Sequence, residues 1–80
     1  HRIIDEQPSP SDKLIQEQNL AQLKAYISQL KPHYQEVINM RYFQDLSYKE
    51  IAAKLEEPMN NVKVKLLRAK KLLAEIINSK

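Results

Sequence analysis

Residues 46–71 read LSYKEIAAKLEEPMNNVKVKLLRAKK. Ser47 followed three positions later by Glu50 makes a capping box, in which each side chain satisfies a backbone N–H of the other residue. A helix therefore starts at Tyr48. Ile51, Ala52 and Leu55 lie on its inward side, and Ala52 is small enough to let a neighbouring helix approach. Pro58 cannot continue that helix. After the EEPM turn, Val62, Leu66, Ala69, Leu73 and Ile76 recur at steps of four and three, the apolar stripe of a longer helix. Asn60 or Asn61 is its expected cap, and it should run to about residue 77. Two helices joined in this way form a helix-turn-helix.

The same reading extends toward the N-terminus. In LKPHYQEVINMRYF, residues 30–43, Pro32 sets a first turn. Tyr34, Val37, Ile38 and Tyr42 then share one side, with Met40 and Phe43 beside them. Earlier still, Leu20, Leu23, Ile27 and Leu30 mark a helix expected over residues 12–29. Its start, at Leu14 and Ile15, is expected to fray or to pack on something outside the chain. The expected fold is all-α, a compact four-helix domain over residues 11–80 ending in a helix-turn-helix without a wing. Residues 1–10 read as an interdomain linker, with Ser9 or Ser11 available as a cap.

Composition agrees with that class. The chain has 80 residues, enough for one small domain, with no Gly and four Pro. Hairpin-rich folds generally need Gly for their turns. The absence of Cys excludes disulfides and thiolate metal sites. No run is long or apolar enough to span a membrane, and no signal peptide is recognisable, which suits a cytoplasmic protein. The chain does not begin with Met, and it is read as a fragment of something longer.

Charge is unevenly distributed. Residues 1–46 hold five Lys/Arg and six Asp/Glu, whereas residues 47–80 hold eight and four. Positive charge gathered on one element is the footprint of phosphate contact. If Val62, Leu66, Ala69 and Leu73 face the core, advancing about 100° per residue puts Asn60, Val64, Leu67, Arg68 and Lys71 on the opposite face. Lys63 and Lys65 flank it, and Lys70 sits further around. The first turns of such a helix reach base edges in a DNA major groove while the preceding helix lies across the backbone. Lys63 and Arg68 suit guanine acceptors or phosphates, Val64 and Leu67 suit a thymine methyl, and Lys70 and Lys71 suit phosphates. The start of the helix at Tyr48, and Arg41 before it, are further backbone candidates. The same exposed Val64 and Leu67 would also suit a protein partner.

Chemistry finds no comparable support. Ser47 is a cap with no base beside it, and Glu56–Glu57 reads as a solvated turn. His1 and His33 lack companions at ligand spacing, so no metal is expected. Without Gly there is no phosphate-cradling nucleotide loop. Neither an enzyme nor a bound cofactor is expected.

The pieces MRYFQDLSYKEIA, residues 40–52, and Val62-Lys63 with Arg68-Ala69-Lys70 resemble region four of bacterial sigma-70 family sigma factors, most closely the extracytoplasmic-function (ECF) class. The resemblance runs over residues 30–73. It implies a domain that recognises the promoter −35 element with its last helix and touches the β flap of core RNA polymerase. It also implies a linker from a preceding region two, and an anti-sigma protein as a further partner. Carried over by position, Lys63, Val64, Leu67 and Arg68 face bases. Arg41 and Tyr48 face the backbone; Ser47, Asn60, Asn61, Lys70 and Lys71 are backbone candidates from the residues themselves. The chain departs from the family where Glu56 replaces a usual Gly, which points to a different turn. Asn60 and Asn61 stand for Gly-Thr, and Val64 and Lys65 for Ser and Arg, so no particular −35 sequence carries over.

Two other readings use the same residues. A LuxR-type response-regulator output domain also contains KEIA, but usually has His where Lys65 stands, and LLRAKKLL favours sigma. A helical protein-docking module would use Val64 and Leu67. Salt separates docking from DNA binding, because only phosphate contacts weaken steeply through counterion release.

Overall fold

A polar run, QEQN at residues 16–19, decides how the N-terminal third folds. The computed structural model describes residues 10–79; of the linker expected over residues 1–10, residues 1–9 lie outside the described residues, as does Lys80, and Pro10 already belongs to the first helix. Instead of one helix over residues 12–29 there are two, α1 (Pro10–Gln16) and α2 (Leu20–Ile27). Asn19 breaks them apart. Its backbone is extended and its Oδ1 accepts the Gln22 N–H at 2.8 Å, the competition with helix that Asn side chains offer. The break lets α1 turn onto the last helix, so Ile15 is completely buried in the core rather than frayed. Leu20 is left exposed, while Leu23, Ile27 and Leu30 keep the buried stripe.

Helix α3 (Pro32–Ile38) starts with Pro at its first turn, as the sequence implies, and buries Val37 and Ile38. It continues into a wider π-helical turn over Asn39–Phe43, closed by the Gln44 N–H donating to Asn39 O five residues back at 3.0 Å. Asp45 then takes a positive φ of 55° between this turn and the next helix. Phe43 is exposed, and Met40 and Tyr42 lie half-buried against the core.

Helix α4 (Tyr48–Leu55) has the limits the capping box implies. Glu50 N–H donates to Ser47 Oγ at 3.1 Å, and Ser47 N–H donates to Glu50 Oε1 at 2.8 Å. Those bonds, from the Ser47 backbone first and its hydroxyl second, hold the Glu50 carboxyl below its ordinary value. At the other end Glu56 takes the left-handed conformation, φ 56° and ψ 43°, and Glu57 N–H donates to Ala52 O. The turn is therefore the αL type that Gly usually makes, adopted by a residue with a Cβ.

Helix α5 (Met59–Asn78) is the spine: it packs against α1, α2, α3 and α4. Its start is two or three residues earlier than a cap at Asn60 or Asn61 implies. Pro58, extended at ψ 148°, is the cap position, and no side chain caps the helix; Asn60 and Asn61 sit in its first turn. Val62, Leu66, Ala69 and Leu73 have no exposed surface, and the stripe ends on Ile77 rather than Ile76. Each buried Leu or Val contributes about 1.5–3 kcal/mol through removal of apolar surface from water. The described residues contain no strand, and α4, its turn and α5 form the expected helix-turn-helix.

Candidate nucleic-acid interface

The complete burial of one stripe of α5 fixes what its other side presents. Asn60, Val64, Leu67, Arg68 and Lys71 are all exposed on the far face. Leu67 exposes 67% of its surface and Val64 46%, large values for aliphatic residues on a helix that is otherwise the centre of the core. Lys63, at the edge of this face, is half-buried and has interactions of its own. Asn61 is exposed beside Asn60. The helix thus offers two aliphatic side chains ringed by Arg68, Lys71, Lys63 and two carboxamides.

The flanks behave differently. Lys65 turns to the turn before α5 and pairs with Glu57, its Nζ 3.0 Å from Oε2. Lys70, expected on a phosphate, is instead 7% exposed and points into the junction of α1, α4 and α5. There it meets Asp12 Oδ2 at 3.2 Å and donates to Tyr48 Oη at 3.3 Å. Tyr48 is itself buried, so its side chain is also withdrawn from any backbone contact. Arg41 lies over the Tyr48 ring, 5.6 Å from its centroid, and its Nη1 donates to Leu46 O at 2.9 Å, tying down the turn before α4. Ser47 is half-buried with its hydroxyl engaged as the α4 cap.

Tyr42 completes this junction by donating its phenolic hydrogen to Asp12. Burial, then the hydrogen bond to Asp12 and its charge, raise the Tyr42 pKa far above the ordinary tyrosine value, so the ring stays a donor. Asp12 and Lys70 are a buried ion pair with Tyr donors and acceptors around it, the setting that lets such a pair persist. Sequence reasoning missed this cluster. Its one signal is that Lys70 lies a single turn beyond buried Leu66, within about 40° of the core stripe. A charge at that position needs a partner.

Among the described residues no three His, Asp or Glu side chains gather where they could hold a metal ion, and no helix is long and apolar enough to cross a membrane. What the surface can do is bind: an aliphatic and cationic helix face, on a rigid spine, behind a capped partner helix.

Comparison with known proteins gives the same architecture a family. No curated protein and no solved structure matches the chain. The family model described as Sigma-70, region 4, matches residues 20–73, which takes in α2 through most of α5 and more than half of the chain. The chain therefore belongs to the sigma-70 region 4 family, a family of DNA-binding regulatory domains and not of enzymes.

Proposed function

We propose that this domain recognises the promoter −35 element as part of an ECF-class sigma factor, with α5 as the reading helix and α4 lying across the DNA backbone. The observation that carries it is the exposure of Leu67 and Val64 beside Arg68 on the face of α5 directly opposite its buried stripe. Aliphatic side chains there match thymine methyl groups, and Arg68 and Lys63 match the paired acceptors of guanine. Asn60, Asn61 and Lys71 serve as backbone contacts, with Ser47 and Arg41 at the edge of α4. Lys70 and the Tyr48 side chain leave that set, because both are committed to the Asp12 junction.

The reading carries its partners with it. Core RNA polymerase, through its β flap, holds the domain at the promoter, and an anti-sigma protein covers the same α5 face when transcription is off. Both act in the cytoplasm. The exposure of Leu67 favours a second, compatible reading as a protein-docking surface.

The test is promoter selection by the parent protein with core polymerase on a library of upstream elements. Arg68→Ala and Lys63→Ala should weaken binding and change the preferred −35 bases, each by about 1–3 kcal/mol at the base concerned. Unchanged preference in both variants would assign the face to a protein partner instead.

A further inference from the structure

Between α3 and the first half of α5 runs an open groove of about 260 Å³ whose walls include His33 and Tyr34 on one side and Val64, Lys65 and Arg68 on the other. It is smaller than the roughly 300 Å³ at which sites for drug-sized ligands begin, so its size suits a small group rather than a whole metabolite. Its charge is selective. Glu57 also lines it, but that carboxylate is held by Lys65 at 3.0 Å, so the two cancel locally. Arg68 and His33 remain as the groups that set the sign. His33 is exposed, with its ring tilted against Tyr34 at a centroid separation of 4.1 Å and an angle of 44°. Arg68 belongs at once to this groove and to the reading face of α5, so the groove opens beside bound DNA.

We propose that this groove takes a backbone phosphate of the DNA read by α5, with His33 as a pH-dependent contact that adds one positive charge when protonated. The proposal rests on the DNA-binding reading of α5 and extends it to α3, an element with no assigned contact. Imidazole is the side chain that changes charge between about pH 5 and 8. The charged and titratable groups facing it are Tyr34 from its own helix, Glu57 from the turn, and Lys65 and Arg68 from α5. A phosphate seated against the imidazole favours its charged form, so binding takes up a proton and tightens as pH falls.

The experiment follows binding of the 80-residue chain to a fluorescently labelled duplex of mixed sequence by anisotropy. Salt is varied at about pH 5.5 and about pH 8, either side of the imidazole range. Wild type should show a log–log salt slope steeper by about 0.9 at the lower pH, one extra phosphate neutralised, and an affinity gain of roughly three- to tenfold at ~0.1 M salt. His33→Gln should keep the shallow slope at both pH values, and His33→Lys the steep one. His1 is retained in both variants, so the difference belongs to position 33. A pH-dependent slope that persists in His33→Gln, or a wild-type slope that does not change with pH, overturns the His33 contact while leaving the reading of α5 intact. Failure of wild type to bind duplex at any salt would overturn the groove contact, while promoter selection with core polymerase separately decides the reading of α5.

Discussion

Lys70 and Asp12, 58 positions apart in sequence, meet at 3.2 Å in the junction between the first and last helices. Each is about nine-tenths buried, so each charge has given up most of its hydration. Asp12→Ala should therefore cost about 3–5 kcal/mol, read by urea unfolding, because it strands a buried ammonium. Asp12→Leu combined with Lys70→Met should recover most of that loss, since an apolar pair of similar volume replaces a desolvated ion pair.

Adjacent lysines on α5 should separate cleanly. Lys71→Ala is expected to leave stability within about 0.5 kcal/mol of wild type and to lower the salt slope of DNA binding by about 1. Lys70→Ala should do the reverse: a large loss of stability with no lost phosphate contact. Equal effects of the two on the salt slope would place Lys70 at the interface after all.

Glu56 holds the left-handed end of α4 with a Cβ that this conformation penalises by roughly 1–2 kcal/mol. Glu56→Gly relieves the strain, and part of the gain is lost to the greater freedom of glycine in the unfolded chain. A net rise of about 1 kcal/mol is expected, or about 4–8 °C in Tm for a domain of this size. Calorimetry showing no rise would mean the turn relaxes elsewhere.

The capping box at the start of α4 is a pH-linked device. Ser47→Ala should cost about 1 kcal/mol. The Glu50 carboxyl is held below its ordinary value in the folded state, so its contribution is fully present above the unfolded carboxylate value. It is lost as pH falls through the lowered folded value. Glu50→Gln should flatten that part of the acid stability profile, measured by thermal melts across the acid range.

Leu67→Ser should leave the Tm nearly unchanged and weaken DNA binding, whereas Leu66→Ala should cost about 2–5 kcal/mol through a core cavity. Neighbours in sequence, they test the assignment of the two faces of α5 directly.

Local signals made the C-terminal half legible. Ser47, Glu50 and Pro58 bracket α4, and the spacing of Val62, Leu66, Ala69 and Leu73 separates the two faces of α5 without any tertiary information. What escaped depended on distance or on competition. Asn19 stands inside a pattern that continues on both sides of it, and only its bond to Gln22 shows that the cap wins over the helix. Asn60 and Asn61 are better caps by residue type than Pro58, yet the extended backbone at Pro58 starts the helix first. Ile15 and Lys70 owe their burial to the packing of α1 on α5, a contact between the two ends of the chain that no periodicity encodes. The groove at His33 is likewise a meeting of α3 with α5, invisible in either helix alone.

The helix that organises the core is also the helix proposed to meet DNA, and the two roles fall on separate residues. Val62, Leu66, Ala69 and Leu73 are fully buried, whereas Asn60, Val64, Leu67, Arg68 and Lys71 are exposed. Recognition in this domain is therefore free to drift. On the proposed reading, a change at position 64 or 67 would alter what is read without touching the fully buried stripe of Val62, Leu66, Ala69 and Leu73. Under that reading, divergent promoter preferences would arise on this scaffold by single substitutions outside the buried core.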